Sequence, residues 1–395
     1  MNGTVVAGGG PAGAAVAALL AGSGREVLVL ERDPGPADKV CGDFLSVEAQ
    51  QSLSELGLDL SALSPSPIRS VRLMHRQRVA EAALPFPALG LSRRALDAAL
   101  LDLAAARGAA VRRGVKVQSL SRQGSALTLV TGDGEFRPHA VFLATGKHEL
   151  RGAARAVQAP RSVGFKTYLS LAPEQTGALR GVVEVLLFEG GYAGLLLVEA
   201  DAANLSLVVS ADRLARAGGT WDGLLASLQA ECALLARRLS GATPLRPRPL
   251  AISRLPYGFI HAPGPGDLAG VYRLGDQAAV IPSLTGDGVS IALHTARRGA
   301  EALLSGRSAS DYHAGLRRDL RGQMLRASLV HRACLTRALQ PSVLRVCRAV
   351  PAIMRLAAAW TRIAATTREP LTPTLSRKGR GSGVPLPLRE GLGEG

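Results

Sequence analysis

The apolar positions of the chain fall into two kinds of pattern. Residues 4–7 and, within the stretch 26–30, Val27 to Leu30 are short apolar runs, separated by a stretch of small residues at 14–21. Unbroken runs of this length read as strands buried on both faces, and the stretch between them as the crossover helix of a parallel βαβ unit. Residues 140–146 form a third such run, closed by glycine, and predict another central strand. Helical spacing is predicted at 47–56, at 221–239, at 289–304 and from about 92 to 106, where Ser92 is placed to cap the first turn. From Ser162 to about Ser253 the pattern changes. Runs at 182–188, 192–198 and 205–210 lie close together with short polar turns between them, which predicts antiparallel pairing, and 250–254 adds a further strand. Residues 68–83 also have strand character.

The turn after the first strand carries Gly8, Gly10 and Gly13 at G-x-G-x-x-G spacing, with Pro11 and Ala12 between them. Gly8 permits the tight turn, Gly10 lets the backbone approach a pyrophosphate, and Gly13 lets helix and strand pack closely. The helix N-terminus offers N–H donors and positive dipole to phosphates. Glu31, beside Arg32, ends the second strand 21 residues after Gly10, where its carboxylate can accept from both ribose hydroxyls of an adenosine. A dinucleotide is therefore expected here. Three later stretches bear on which one. Arg93 opens the helix that packs on this unit, and Thr145-Gly146 ends the third strand. Gly275-Asp276 closes a fourth strand, followed by the loop Gly286-Asp287-Gly288-Val289 at a helix start. A carboxylate suited to a ribityl hydroxyl, and N–H donors at a helix N-terminus, fit the pyrimidine edge of a reduced flavin, where negative charge accumulates.

Composition changes the picture in two places. The net charge of +16 is unevenly spread: residues 315–364 hold ten arginines against one acid, Asp319. The basic character is thus local. Arg345, Arg348, Arg355 and Arg362 share helical spacing, and two readings stand: a face lying on an anionic membrane, or a C-terminal cap with solvated arginines, which the breaks at Pro341 and Pro351 favour. No motif or aromatic interleaving accompanies the arginines, so no nucleic-acid partner is expected. The four cysteines, Cys41, Cys232, Cys334 and Cys347, form no C-x-x-C pair and predict neither a disulfide framework nor a metal site. With no basic leader and no apolar run long enough to span a bilayer, the expected location is cytoplasmic, or peripheral to the inner membrane face. Residues 366–395, rich in proline and glycine without periodicity, are expected to be a disordered tail.

Taken together, the ordered motifs resemble those of the FAD-dependent oxidoreductases of the geranylgeranyl reductase-like and aromatic-ring hydroxylase superfamily, over about residues 3–304. The likeness is strongest to the reductase branch, whose Cys-Gly-(Asp/Glu)-x-Leu-Ser element stands here as Cys41-Gly42-Asp43-Phe44-Leu45-Ser46. The resemblance implies an α/β fold: a glutathione-reductase-like, Rossmann-type FAD domain with an inserted antiparallel-sheet substrate domain and C-terminal helices. The FAD domain would comprise 1–66, 91–161 and 261–305, with substrate-lobe strands at 67–90 and the substrate domain at 162–260. Basic helices follow at 306–365 and the tail at 366–395. It further implies that Arg93 contacts the FAD phosphates, that Asp276 holds the ribityl chain or pyrophosphate, and that Cys41 and Gly42 face the isoalloxazine. Cys41 and Tyr192 are the candidates for catalysis, each with a plainer role as a pocket wall. Lys147 and His148 read as solvated loop residues, while Lys166 could reach the pocket from its strand. The hydroxylases' central Asp-Gly motif is missing at Ala144-Thr145-Gly146. That favours a reductase or dehydrogenase acting on an apolar unsaturated, isoprenoid or polyketide-like substrate, with NAD(P)H or an electron-transfer partner as donor. A monooxygenase is the alternative enzyme. A non-catalytic flavoprotein electron carrier is the alternative of another class, and it would have no pocket beside Cys41 and Tyr192.

Overall fold

The structure is a computed structural model and describes residues 3–124, 126–157 and 160–363; the expected tail at 366–395 lies outside them. The chain begins with β1 (Thr4–Ala7), α1 (Pro11–Gly22) and β2 (Val27–Glu31). It then forms the hairpin β3 (Ser66–His75) and β4 (Arg78–Gly90), α2 (Arg93–Ala106), β5 (Ala110–Arg113) and β6 (Ala140–Leu143). Four long strands follow: β7 (Ser162–Ser170), β8 (Gly181–Phe188), β9 (Gly191–Leu197) and β10 (Ala203–Ser210). β11 (Val271–Arg273) leads to four helices: α3 (Gly288–Leu304), α4 (Ala309–Leu335), α5 (Gln340–Ala349) and α6 (Ala352–Trp360).

Two sheets carry the molecule. The first is fully parallel, in the order β11–β6–β1–β2–β5. β1, β2 and β6 are buried on both faces, as their continuous apolar runs require, while the edge strand β5 is partly exposed. Val6, Val29 and Phe142 face the helices α1, α2 and α3. Val5, Leu28 and Val141 face a small antiparallel sheet of Val117–Gln123, Ala126–Thr131 and Gly134–Phe136. Gly13 shows why small residues fill α1: a Cβ there would lie 1.9 Å from the Gly8 carbonyl oxygen. Ser92 caps α2, its Oγ accepting from Ala95 N at 3.1 Å.

The second sheet has nine strands, with β7–β10–β9–β8–β3–β4 in sequence across it. The three predicted runs do pair antiparallel. The pairing of β8 with β3 is parallel, however, and it joins the early hairpin to the later strands as one surface. One face of this sheet packs on the helices Trp221–Glu231 and Ala233–Leu239 through Phe165, Leu186, Leu205, Leu224 and Leu228. These two helices replace the single helix expected at 221–239. The break falls at Cys232, whose extended backbone (φ −133°, ψ 101°) ends one helix and starts the next. The opposite face, with Leu73, Leu187 and Tyr192, meets α4, α5 and α6 through Cys334, Leu344, Cys347 and Met354.

The C-terminal segment departs most from expectation. Pro351 separates α5 from α6, so the four spaced arginines do not share one helix. Arg345, Arg348 and Arg355 are exposed, but Arg362 is buried.

Candidate active site

Helix N-termini and glycine turns at the carboxyl ends of the parallel strands line one side of a cavity of about 710 Å³. Gly10, Pro11 and Ala12 at the start of α1 lie in its wall, as do Gly146, Gly275, Asp276, Gly286, Gly288 and Val289. The N-terminus of α1 has no side-chain cap, and neither has that of α3, so their first-turn N–H groups are available to an anionic ligand. Gly8 holds φ +105°, and a Cβ on it would sit 2.4 Å from the Ala144 carbonyl oxygen. At Gly10 an added Cβ would meet only the Arg93 side chain at 3.2 Å and Asp97 at 3.9 Å, which leaves the cradle open.

Glu31 lies behind this cradle, nearly buried. Its Oε2 accepts from Gly9 N at 2.6 Å and its Oε1 from Asp33 N at 3.0 Å, and a carboxylate so held keeps lone pairs for ribose hydroxyls. Arg32 turns instead toward Asp33, 3.7 Å away, and takes no place in the cavity wall. Arg93 does line the cavity, its guanidinium fixed by two bonds to Asp97 at 2.7 and 2.8 Å. Thr145 bonds within its own turn, to His148 O at 2.9 Å. Gln277 ties that turn to the Gly275 turn by donating to Gly146 O at 2.7 Å and His148 O at 2.9 Å. Lys147 is not a solvated loop residue. It lines the cavity and pairs with Asp276 at 3.0 Å.

Asp287 is a second departure. Its carboxylate is fully buried and absent from the cavity wall, and it faces the Arg362 guanidinium at 2.7 Å. Arg362 also donates to Thr285 O and lies over the Phe86 ring at 5.0 Å. Burial pushes the Asp287 carboxyl up to about 6, with Arg362 working against the rise. The end of the chain is thus clasped to the loop that opens α3. Spacing alone had put Arg362 on a solvated face. Its partner lies 75 positions earlier, beyond the reach of any helical periodicity.

Polar groups of the cavity gather at the cofactor end. Cys41 and Gly42 line it, with Asn204 Nδ2 donating to Cys41 O at 3.1 Å and Asp43 N to Cys41 Sγ at 3.4 Å. Asp43, next in the wall, was missed as a site residue. It has φ +56°, strained for a residue with a Cβ, and is almost completely buried. Its Oδ2 accepts from Lys166 Nζ at 2.6 Å and from Tyr168 OH at 2.5 Å, while Oδ1 has no partner. Burial raises the carboxyl's pKa, and Lys166 and Tyr168 oppose that rise. Lys166 itself has no exposed surface. Tyr192, also in the wall, shares Ser283 Oγ with Tyr257, whose hydroxyl lies 2.5 Å from it. Burial raises the Tyr192 phenol well above its ordinary value and pushes Tyr257 up to about 12, so both stay protonated hydroxyls near neutral pH. Beyond them the wall is apolar: Val71, Leu73, Val185 and Phe86 from the sheet side, Val343, Cys347 and Met354 from the helices. Outside the cavity, His261 bonds Asp267 at 2.9 Å, and His313 accepts from Arg273 N at 3.0 Å. These three side chains lie together and staple the loop after Tyr257 to α4.

Comparison with known proteins agrees with this geometry. Residues 2–142 match the family model for an FAD binding domain. Over 321 residues the chain is 29% identical to a menaquinone reductase of Mycobacterium tuberculosis, covering 76% of each protein. Among solved structures, a flavin-dependent brominase superposes with a TM-score of 0.74 at 17% identity, over 91% of this chain and 94% of that one. A geranylgeranyl bacteriochlorophyll reductase-like protein from Thermoplasma acidophilum gives 0.70 at 17% identity, over 92% and 94%. These structures share the α/β fold with its sheets and C-terminal helices. With its FAD binding domain and its likeness to a menaquinone reductase, the chain is an FAD-dependent oxidoreductase.

Proposed function

We propose that the chain reduces an apolar quinonoid or otherwise unsaturated substrate, held in the cavity between the large sheet and the C-terminal helices. The observation that carries this reading is the cavity itself: it runs without interruption from the glycine loops to Cys347 and Met354, polar at the first end and apolar at the other. Residues at the polar end would hold the cofactor, and the apolar walls beyond them would hold an apolar substrate. A closed electron carrier would have no such space beside Cys41 and Tyr192. The relative named a menaquinone reductase supports a quinonoid substrate.

In this reading the FAD domain is glutathione-reductase-like, and the residues present suit the cofactor. Gly10 and the uncapped start of α1 would hold the pyrophosphate, Glu31 the adenosine ribose, Arg93 a phosphate, and Asp276 the ribityl chain. The start of α3, at Gly288 and Val289, would present N–H donors to the pyrimidine edge. Bound FAD supplies hydride chemistry. With no separate nicotinamide domain, NAD(P)H would bind transiently at the flavin face, or a carrier would donate the electrons. One hydride and one proton convert a quinone to its quinol. The protein's share is the proton and the orientation. Asp43, whose carboxyl burial shifts toward the protonated form, would carry the proton at Oδ1, while Lys166 and Tyr168 fix Oδ2. Tyr192 would donate a hydrogen bond to the substrate carbonyl and fix its distance from the ring.

The test is anaerobic photoreduction of the flavin-loaded protein, followed by stopped-flow mixing with a short-chain naphthoquinone. Flavin reoxidation at a rate that saturates with quinone, giving one quinol per flavin, is the expected result. Reoxidation by oxygen alone, with an oxygen atom appearing in an aromatic or polyketide product, would replace this reading with a monooxygenase.

A further inference from the structure

We propose that the outer face of the C-terminal helices docks the protein onto an anionic lipid surface, with the cavity mouth turned toward the bilayer; this deepens the reading above by naming the source of the apolar substrate. Among the described residues, ten large hydrophobic side chains are exposed, and eight of them lie between Leu325 and Trp360. Scattered exposed apolar residues are ordinary, but a concentration on one part of the chain marks an interaction surface. Leu325 and Leu329 lie one turn apart on α4, and Ile353, Leu356 and Trp360 follow one side of α6. Arg326 joins the two helices by donating to Trp360 O at 2.6 Å.

Leu339, Val346 and Ile353 show where this surface leads. They are 46%, 47% and 39% exposed, yet they also line the cavity. Residues that face both solvent and cavity form its mouth. An apolar substrate leaving a membrane here would enter without crossing water.

Charge selects the occupant. No acid occurs between Asp319 and Glu369. Arg345, Arg348 and Arg355 are exposed on α5 and α6, and none has an ion-pair partner among the described residues. A second copy of the chain would set arginines against arginines. Residues 364–395 carry five Lys or Arg against three Glu, so they do not neutralise the patch. Apolar side chains set among unpaired arginines, on a segment that carries no acid of its own, suit anionic headgroups over acyl chains. No described helix is long and apolar enough to cross a membrane, so contact would lie in the interface plane.

Flotation of the flavin-loaded full chain with vesicles tests this. Vesicles of phosphatidylcholine and phosphatidylglycerol in equal parts should carry the protein up the gradient, and phosphatidylcholine alone should do so much less. The triple variant R345E/R348E/R355E should weaken partitioning by about a hundredfold or more. The double variant L356E/W360E, which touches neither cavity nor cofactor loops, should abolish flotation. It should leave reduction of a short-chain quinone in solution unchanged and slow reduction of a long-chain quinone in vesicles. Equal partitioning of wild type and both variants would overturn the proposal. So would a dimer that L356E/W360E dissolves, or binding seen only after removal of residues 364–395, since either names another occupant. Flotation as expected with neither quinone reduced would sink the functional reading and leave the docking surface standing.

Discussion

At the scale of single residues, Asp43 concentrates the consequences. Its strained backbone, burial and unpartnered Oδ1 occur together in the cavity wall, and strain of this kind persists where the surroundings enforce it. The carboxyl can give a proton only while protonated, and its pKa is raised. Turnover with quinone should therefore fall as pH climbs through that raised value. Asp43→Asn should lower the rate constant for flavin reoxidation by about a hundredfold or more and flatten the pH profile, with flavin content unchanged. A steep profile retained in the variant would assign the proton elsewhere. Gly10→Ala tests the cofactor cradle. The added Cβ meets no backbone, only the Arg93 guanidinium and Asp97 carboxylate tips, so the fold should survive. FAD affinity, read by fluorescence titration, should drop about tenfold or more, which corresponds to about 1.4 kcal/mol.

At the scale of elements, the clasp between α6 and the loop before α3 decides how the cavity is closed. Asp287 and Arg362 are both buried, and removing one partner strands the other charge. Arg362→Met should destabilise the protein by about 3–5 kcal/mol in urea unfolding near neutral pH. The sign of the pH dependence follows from the raised carboxyl. A folded-state value of about 6 against 3.8 means that the folded form holds the proton more tightly. Stability from this group is thus lost as pH rises from about 4 to 6, and Arg362 offsets that loss. The gap between wild type and Arg362→Met should narrow toward pH 4 and widen above 6. Adding Asp287→Asn should restore most of the loss. A gap independent of pH would show that Arg362 acts by packing on Phe86 rather than through Asp287.

For the whole molecule, the cavity belongs to no single element. The parallel sheet supplies its polar end, the nine-stranded sheet one apolar wall, and α4, α5 and α6 the other. Narrowing it far from the cofactor should separate binding from chemistry. Val343→Trp, in the apolar wall on α5, should raise KM for a long apolar quinone by about tenfold, or about 1.4 kcal/mol. It should leave flavin content and the reaction with a short-chain quinone in place. If both quinones are slowed alike, the substrate enters by another route.

The sequence by itself determined the parts whose physics is local. Continuous apolar runs place the buried parallel strands, glycine spacing marks the turn below α1, and Ser92 marks the start of α2. Each rests on backbone sterics or hydrogen bonding within a few residues. The same reasoning reached the FAD-binding class and the side of the sheet where the glycine loops gather. Tertiary structure alone decided which charged residues are buried and why. Lys166 meets Asp43 across 123 positions, and Arg362 meets Asp287 across four helices of intervening chain. A periodic pattern reports only the face on which a side chain starts. Whether that face turns to water or to an acid brought from elsewhere depends on strands and helices packing together. The cavity, formed by three separate layers, exists only once they do.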